Sequence, residues 1–178
     1  MAAKQRERRD PSMAISSFKD LYIDHAQDCY SALKQSIEFS SELHQAASES
    51  DLKDAIERSI SASKDALGEF EKIIKAHDAD PNGEHCMGMQ GLIKEARSHA
   101  LDEEFEDDAV RDAMIIAQYQ RLAHYAIAGY GTSAAFAKRL GLDDDAKVWE
   151  KQLDGTYDGD RTMTKLAETE VNKEAAAA

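Results

Sequence analysis

The stretch Leu122-Ala-His-Tyr-Ala-Ile-Ala-Gly-Tyr-Gly-Thr132 decides the fold of this chain. Alanine and glycine recur through it, and both residues are common where two helices approach each other closely. The stretch lies in a longer segment, roughly 107–140, whose apolar residues are spaced three and four positions apart. This spacing predicts a helix that packs against neighbouring helices.

The rest of the chain has the same helical character. Two prolines and nine glycines interrupt its 178 residues, and no segment shows the period of two that a strand requires. A polar turn at 48–51 predicts that the first two helices are antiparallel neighbours. Pro81 and Gly83 end the second helix and mark a crossover. Apolar spacing predicts long helices over roughly 15–49, 51–77, 107–140 and 143–170, and a shorter helix over 86–99.

The length and the two ends of the chain predict one domain with loose termini. A chain of 178 residues is long enough for one domain with a real core and too short for two. We expect a flexible N-terminal arm over 1–14, a helical bundle over 15–172 and a disordered C-terminal tail over 173–178. The basic cluster from Lys4 to Arg9 is short and interrupted by Glu7, which favours a solvated arm over a binding element.

The net charge limits the partners that the protein can bind. Aspartate and glutamate total 35 and lysine and arginine total 22, which gives a net charge of −13. This charge opposes attraction to nucleic acid phosphates and anionic membranes. The sequence has no run of about 18 apolar residues to span a bilayer and no secretory signal. We therefore expect a cytoplasmic protein without nucleic acid or membrane partners, in which Cys29 and Cys86 are free thiols.

An ordered series of short motifs, from about Phe18 to Asn172, resembles one protein family. The motifs are Met89-Gln-Gly-Leu-Ile93, Ala109-Val-Arg-Asp-Ala113, His124-Tyr-Ala-Ile-Ala-Gly-Tyr-Gly-Thr132, Leu140-Gly-Leu142 and Val171-Asn172. With them the chain resembles the YciE/YciF-like ferritin-like proteins, which are bacterial four-helix bundles associated with stress. The resemblance implies an all-α, ferritin-like antiparallel four-helix bundle with a short additional helix in the crossover region. It also implies self-association as a homodimer.

The same resemblance indicates which metal ligands this chain lacks. Ferritin-like proteins hold two iron or manganese ions with inward carboxylates and histidines from four helices. Carried over position by position, the family's ligands correspond here to Leu33, Ala62, Ala66, Gln90, Ala123, Ala126 and Thr156, whereas Asp160 is retained. A buried pair of dications needs several anionic ligands. The resemblance therefore implies a degenerate metal site, and we expect no metal and no other cofactor.

Three residues are the remaining candidates for a reduced or displaced metal site. They are His124, Asp160 and Glu95, and Asp112 also could face inward with them. The alternative is that these side chains form salt bridges on the surface. Helical projection does not distinguish the two, because a shift of one residue rotates a side chain by about 100° around the helix axis. If a metal is bound there, we expect iron or manganese.

The lost carboxylates also leave volume inside the predicted bundle. If neighbouring side chains do not collapse into it, an apolar chamber remains that accepts a small apolar molecule. The alternative is a core packed solid by Leu33, Phe70 and Tyr125. The candidate ligand pocket consists of Leu33, Ala62, Ala66, Ala123, Ala126, His124 and Tyr125.

The leading hypothesis for function is a non-enzymatic bundle that has lost its di-iron or di-manganese centre. It would act by self-association and bind a small apolar ligand in the core. Two alternatives stay open: a metal-dependent oxidoreductase of the catalase or ferroxidase type with a reduced or displaced metal site, and a structural stress-response protein. The sequence has no glycine-rich phosphate loop, no Ser-His-Asp arrangement in a strand-turn-helix setting and no low-pKa cysteine motif. We therefore assign no catalytic residue and favour a protein that is not an enzyme.

Overall fold

Helices make up nearly all of the structure. The computed structural model describes residues 15–178, and the predicted N-terminal arm over 1–14 lies outside the described residues. Between residues 15 and 178 there is no strand. Two π-helical turns, Ser98–Asp102 and Ala167–Val171, follow α3 and α5. The α-helices are α1 (Phe18–Ala46), α2 (Ser50–Ala76), α3 (Met87–Arg97), α4 (Asp108–Arg139), α5 (Asp143–Leu166) and α6 (Asn172–Ala175).

The four long helices, α1, α2, α4 and α5, form an antiparallel bundle. Helix α1 lies beside α2 and α4, and α5 lies beside the same two helices. His25 contacts Gly129 and Ser48 contacts Asp112, so α1 and α4 run in opposite directions. The short helix α3 lies in the crossover from α2 to α4 and packs against α1 and α4. The predicted all-α, antiparallel four-helix bundle with a short crossover helix is confirmed.

Polar side chains and one glycine define the helix ends. The Ser17 hydroxyl accepts the N–H of Asp20 at 3.1 Å at the start of α1, and Asp107 accepts the N–H of Ala109 at 2.7 Å at the start of α4. Such caps satisfy N–H groups that have no partner within the helix. Gly141 follows α4 with a φ of 72°, a left-handed conformation that favours glycine. The chain therefore turns back sharply from α4 into α5.

The core consists of two packed groups of side chains, one toward each end of the bundle. The aromatic end is built around Phe70, Tyr130 and Trp149, whose ring centroids lie 4.1 to 5.9 Å apart. The aliphatic end is built around the fully buried Leu52 and Ile115 and their neighbours. Because burial of one such side chain contributes about 1.5–3 kcal/mol, both ends hold the helices at a fixed spacing.

A hydrogen-bonded network closes the aromatic end. Trp149 Nε1 donates to the Tyr22 hydroxyl at 3.0 Å, and Tyr22 donates to Asp145 Oδ2 at 2.9 Å. The same Asp145 oxygen lies 2.8 Å from Nε2 of His77 at the end of α2. Burial raises the pKa of Tyr22, so its hydroxyl stays protonated and remains a donor. The network joins the starts of α1 and α5 to the end of α2.

The carboxylate of Asp112 closes the aliphatic end. Asp112 is 1% exposed and accepts the N–H of Ser48 at 2.9 Å, the N–H of Glu49 at 2.7 Å and the hydroxyl of Ser48 at 2.6 Å. A buried carboxylate requires several such donors. Asp112 therefore ties the turn between α1 and α2 to helix α4, and it does not face the candidate metal residues.

The C-terminal part of the chain continues as helix. Helix α5 runs unbroken through Gly155 and Gly159 to Leu166. After the second π-helical turn, α6 includes residues 173–175 of the segment predicted as a disordered tail. Val171 between them is buried and packs in the aliphatic end. Among the helices of residues 15–178, none is long and apolar enough to cross a membrane.

Truncation of Asp112 is expected to destabilise the protein strongly. Asp112→Ala leaves the N–H groups of Ser48 and Glu49 without their acceptor, and we expect the free energy of unfolding to fall by about 3 kcal/mol. Urea unfolding followed by circular dichroism measures this change. The control is Asp154→Ala, at an exposed aspartate in α5, which should stay within about 0.5 kcal/mol of the original protein. Equal effects of the two substitutions would contradict the proposed role of Asp112.

Candidate functional site

A cavity lies at mid-length of the bundle, between α1, α2, α4 and α5; we call it the central cavity. Its volume is about 240 Å³. It opens to solvent between α2 and α5, where Ala62 and Gly155 are exposed. The wall consists of Leu33, Ser36, Ser40, Arg58, Ser59, Ala62, Ser63, Ala66, Tyr119, Leu122, Ala123, Ala126, Tyr130, Gln152, Gly155, Thr156 and Gly159.

Most of the residues predicted to form a ligand pocket lie on this wall. Those that line the central cavity are Leu33, Ala62, Ala66, Ala123 and Ala126. The other two predicted residues, His124 and Tyr125, do not line it. The side chain of His124 is mostly exposed, and Tyr125 lines a second cavity. Ligand binding at these residues stays a prediction.

The central cavity separates the two packed ends of the core. On its wall, Leu33 and Tyr130 pack in the aromatic end, whereas Tyr119 and Leu122 pack in the aliphatic end. Between these bulky side chains, the wall consists largely of alanine, serine and glycine. Because protein interiors pack at nearly crystalline density, the two ends resist the approach of the helices that would close this gap.

Three of the hydroxyls on the wall have partners within the protein. The hydroxyls of Ser59 and Tyr119 lie 2.5 Å apart and form a hydrogen bond between α2 and α4. The Thr156 hydroxyl donates to the backbone carbonyl of Gln152 at 2.7 Å. These groups are satisfied and have little need of a ligand.

Two buried hydroxyls on the wall lack a hydrogen-bond partner among residues 15–178. They belong to Ser40, which is 6% exposed, and Tyr130, which is 5% exposed. Arg111 Nε is the side-chain atom of that range that is both fully enclosed and unpaired, so the two hydroxyl oxygens keep some accessible surface. Burial raises the pKa of Tyr130, which keeps its hydroxyl protonated and able to donate.

The wall does not suit a pair of metal ions. Among the described residues that line the central cavity, none is Asp, Glu, His or Cys, and the charged one is Arg58. Two dications need several anionic or imidazole ligands. The family's ligand positions at Leu33, Ala123, Ala126 and Thr156 therefore contribute apolar groups and a satisfied hydroxyl. Gln90, another of these positions, is exposed on α3 and lies outside the wall.

The structure brings together two of the three residual metal candidates. His124 Nε2 lies 3.3 Å from Asp160 Oδ1, and the same Asp160 oxygen accepts a hydrogen bond from Gln120 at 3.0 Å. Glu95 lies 3.7 Å from Arg121 instead and 3.9 Å from His99. The surface ion pairs considered as the alternative are therefore present at these residues.

A separate group of carboxylates lies at the start of α2, outside the central cavity. Oxygens of Glu49, Asp51 and Glu170 lie within 4.8 Å of one another. Glu49 already caps α2 by accepting the N–H groups of Asp51 at 2.9 Å and Leu52 at 2.6 Å. Asp51 and Glu170 are exposed, and solvated acidic clusters of this kind are common on an acidic protein.

The second cavity lies between α1, α3 and α4 and has a volume of about 230 Å³. Its wall includes Tyr125, whose hydroxyl lies 3.1 Å from Cys86 Sγ. Gly88 permits this contact, because a Cβ atom there would lie 2.4 Å from the Tyr125 hydroxyl. The two cavities are separated by a partition formed by Leu33, Ser36, Ala126 and Tyr130, which line both.

Both cysteines are free, as predicted, and both are buried. Cys86 Sγ donates to Asp28 Oδ2 at 3.3 Å, and Cys29 Sγ lies 3.7 Å from the Ser133 hydroxyl. Burial raises the pKa of Cys29 to about 12 and also raises that of Cys86. Because the thiolate is the reactive form of cysteine, neither residue is suited to nucleophilic or redox chemistry.

Sequence reasoning did not identify several residues of the central cavity. Arg58, Ser40, Ser63 and Tyr130 line it, but each looks in the sequence like an ordinary polar or aromatic residue of a long helix. For Arg58, Ser63 and Tyr130, a position three or four residues from a predicted alanine was the available signal. That signal depends on knowing which helix faces point inward.

Comparisons with known proteins agree with the fold. Residues 17–176 match the family described as a domain of unknown function, DUF892. Protein YciF of Escherichia coli (strain K12) is 34% identical over 167 residues, covering 92% of this chain and 98% of that protein. The crystal structure of the E. coli stress protein YciF has a TM-score of 0.82 at 31% identity and covers 89% of this chain and 99% of that one. YcfI of Rhodopseudomonas palustris, for which a structural role has been suggested, has a TM-score of 0.79 at 28% identity, covering 84% of this chain and 94% of that chain.

The two thiols are expected to be unreactive in the folded protein. At about pH 8, dithionitrobenzoate should label neither Cys29 nor Cys86 within minutes, because both are buried and protonated. After unfolding in guanidinium, both should react, and the absorbance of the released thiolate measures this. A Ser61→Cys variant, with its thiol at an exposed position of α2, is the positive control and should add one fast-reacting thiol. Rapid labelling of the original folded protein would contradict the burial of its thiols.

Proposed function

This chain belongs to the family described as a domain of unknown function, DUF892, and on that premise we propose that it is a non-enzymatic, ferritin-like bundle that binds a small, largely apolar molecule in its central cavity. The observation that carries the proposal is the composition of the cavity wall. Leu33 and a set of alanines stand where the family resemblance assigns metal ligands, and they surround space instead of filling it. The chain is thus proposed to have exchanged a di-metal centre for a ligand chamber.

The volume of the central cavity sets the size of the molecule. An engineered cavity of about 150 Å³ with apolar walls binds benzene in another protein. At about 240 Å³, the central cavity would hold a molecule of roughly ten non-hydrogen atoms by the same proportion. A molecule of this size can enter between α2 and α5, where the exposed Ala62 and Gly155 border the opening.

The wall offers both apolar contact and a few polar groups. Apolar side chains from α1, α2 and α4 would supply most of the contact, and the hydroxyls of Ser40 and Tyr130, which have no partner among residues 15–178, would orient a polar substituent. Small-molecule sites in proteins commonly combine an apolar wall with few polar groups in this way. Among the residues that the structure describes, no pair of a proton donor and a proton acceptor faces the cavity. Such a pair would suggest that the ligand is turned over.

Self-association is the second part of the proposal. Several large apolar side chains are exposed among residues 15–178, including Met87 on α3 and Phe18 at the start of α1. Phe18 packs edge-on against Phe136 with ring centroids 5.0 Å apart, which extends the apolar surface onto α4. A second copy of the chain would cover such side chains, and the resemblance implies a homodimer. A structural role in the stress response, suggested by the names of the relatives, is compatible with a dimer that carries a ligand.

The oxidoreductase alternative depends on His124 and Asp160. Their contact at 3.3 Å is the observation that favours a displaced metal site. Asp160 is already held by Gln120, and the third candidate, Glu95, is engaged by Arg121 and His99. One exposed histidine and one carboxylate would hold iron or manganese weakly, since these ions require more oxygen or imidazole donors.

Filling the central cavity is expected to abolish ligand binding and leave the fold intact. Ala123→Leu adds apolar volume inside the cavity, so we expect its stability to stay within about 1 kcal/mol of the original protein. Indole, a probe of suitable size, should bind the original protein and shift the NMR signals of Ala123, Ala126 and Gly155. The variant should no longer bind indole.

The control for this experiment makes the same substitution where the core is filled. Ala137 is fully buried in the aromatic end and lines neither cavity. Ala137→Leu should cost about 1–3 kcal/mol by overpacking and should retain indole binding. Indole binding that persists in Ala123→Leu, or a loss of stability equal in the two variants, would count against an open chamber.

Metal analysis separates the two classes of function. We expect the protein, purified without chelator from cells supplied with iron and manganese, to contain far less than the roughly two ions per chain of a di-metal ferritin-like protein. Elemental analysis by mass spectrometry measures the content. A His124→Ala variant serves as the comparison, because it should have the same metal content if this histidine is not a ligand. About two ions per chain would refute the proposal of a metal-free bundle, and one ion that is lost in His124→Ala would favour the oxidoreductase.

A further inference from the structure

The mouth of the central cavity carries an arginine, Arg58, that has no partner among residues 15–178. Arg58 on α2 lines the cavity, and its guanidinium forms no ion pair or hydrogen bond with residues 15–178. Asp54 lies one turn before it on the same helix and does not engage it. By contrast, Arg111 and Arg161 each bind an aspartate within one turn. Arg58 is therefore free to bind an anionic group at the cavity entrance.

A serine beside the mouth adds a second donor. Ser63 lines the cavity five residues after Arg58 on α2, and its hydroxyl has no hydrogen-bond partner within the described range. A guanidinium presents its N–H groups in a planar fork that matches a carboxylate. An arginine on the wall therefore suits one carboxylate, whose charge stays close to solvent.

The deeper wall is aromatic and includes Tyr130. The Tyr130 ring packs against Phe70 and Trp149, with centroids 5.2 and 5.9 Å apart. A further ring in the cavity would extend this aromatic group, because aromatic rings favour edge-to-face and offset contacts. The Tyr130 hydroxyl, 5% exposed and without a partner among residues 15–178, would pair with a polar substituent on that ring. A buried hydroxyl left unpaired is unfavourable.

We propose that the ligand of the central cavity is a small aromatic carboxylate with a polar ring substituent. Arg58 holds its carboxylate at the mouth, the apolar wall holds its ring, and the Tyr130 hydroxyl binds the substituent at depth. The inference rests on the proposed function, since it identifies the class of molecule that the cavity binds. A hydroxybenzoate has the size of roughly ten non-hydrogen atoms that the cavity volume indicates. The net charge of −13 disfavours general binding of anions, so such a ligand would need this local arrangement.

Three related probes test the parts of the proposal separately. They are para-hydroxybenzoate, benzoate, which lacks the hydroxyl, and para-cresol, which lacks the carboxylate. Each is titrated into isotope-labelled protein, and the NMR shifts of Ala123, Ala126 and Gly155 report both affinity and location. We expect para-hydroxybenzoate to bind most tightly, with the other two weaker by about fivefold or more, because each lacks one hydrogen-bonding group. Added salt should weaken the binding of the two carboxylates and leave the binding of para-cresol unchanged.

Two substitutions assign the contacts to residues. Arg58→Gln should weaken the binding of para-hydroxybenzoate about tenfold, because it removes a charge-assisted hydrogen bond. The same substitution should leave the affinity for para-cresol unchanged. Tyr130→Phe should weaken the binding of para-hydroxybenzoate about fivefold and leave the affinity for benzoate unchanged. The substitution removes no internal hydrogen bond among residues 15–178, so the fold is retained. The matched control is Arg139→Gln, at an exposed arginine of α4 outside the cavity, which should change neither affinity.

The outcomes distinguish this inference from the proposal on which it rests. If para-cresol and indole bind in the cavity as tightly as para-hydroxybenzoate, and Arg58→Gln has no effect, the anionic class is wrong and the apolar chamber stands. If neither these probes nor indole shift the signals of the wall, both proposals fail. Shifts confined to residues outside the wall, with Arg58→Gln and Arg139→Gln equally affected, would show surface attraction and would also overturn the inference.

Discussion

The spacing of the four long helices, set by large side chains at the two ends of the bundle, is the constraint on which the site depends. Trp149 and its aromatic neighbours hold one end apart, and the aliphatic group around Leu52 and Ile115 holds the other. Each end is also closed by a buried polar contact, through Asp112 or through the network around Asp145. Helices α2 and α5 cannot close over small residues at mid-length without separating these ends, since packed cores do not deform continuously. Alanine in the middle therefore leaves space.

The chemistry of the central cavity follows from what its wall lacks and what it retains. Iron or manganese would require several carboxylates or imidazoles, and the described wall offers methyl groups, hydroxyls and one guanidinium. Arg58 in particular would repel a dication and attract an anion. His124 and Asp160, the retained polar pair, lie outside this wall. The site thus has the opposite electrostatic character to a di-metal centre in the same place.

Much of the fold could be predicted from the sequence, because the signals are local. Apolar residues three and four apart predicted α1 to α5, and Pro81 and Gly83 predicted the crossover after α2. The inward positions at Leu33, Ala66 and Ala123 required the family resemblance, which supplied the alignment of four helices to one another. The position of the Asp112 side chain was not predictable. A helical projection of the sequence allowed it to face a metal, and only its contact with Ser48 shows that it closes a turn.

The sequence by itself determined the helices, the acidic net charge and the shortage of ligand side chains at the positions where the family resemblance places metal ligands, since each of these is a property of residues or of short segments. The tertiary structure decided that the space between the helices stays open, that Arg58 stands at its mouth, and that the hydroxyls of Ser40 and Tyr130 on its wall have no partners among residues 15–178. These features depend on the rotation and spacing of helices that are distant in the chain. A rotation of about 100° for each residue is enough to move any of these side chains out of the cavity.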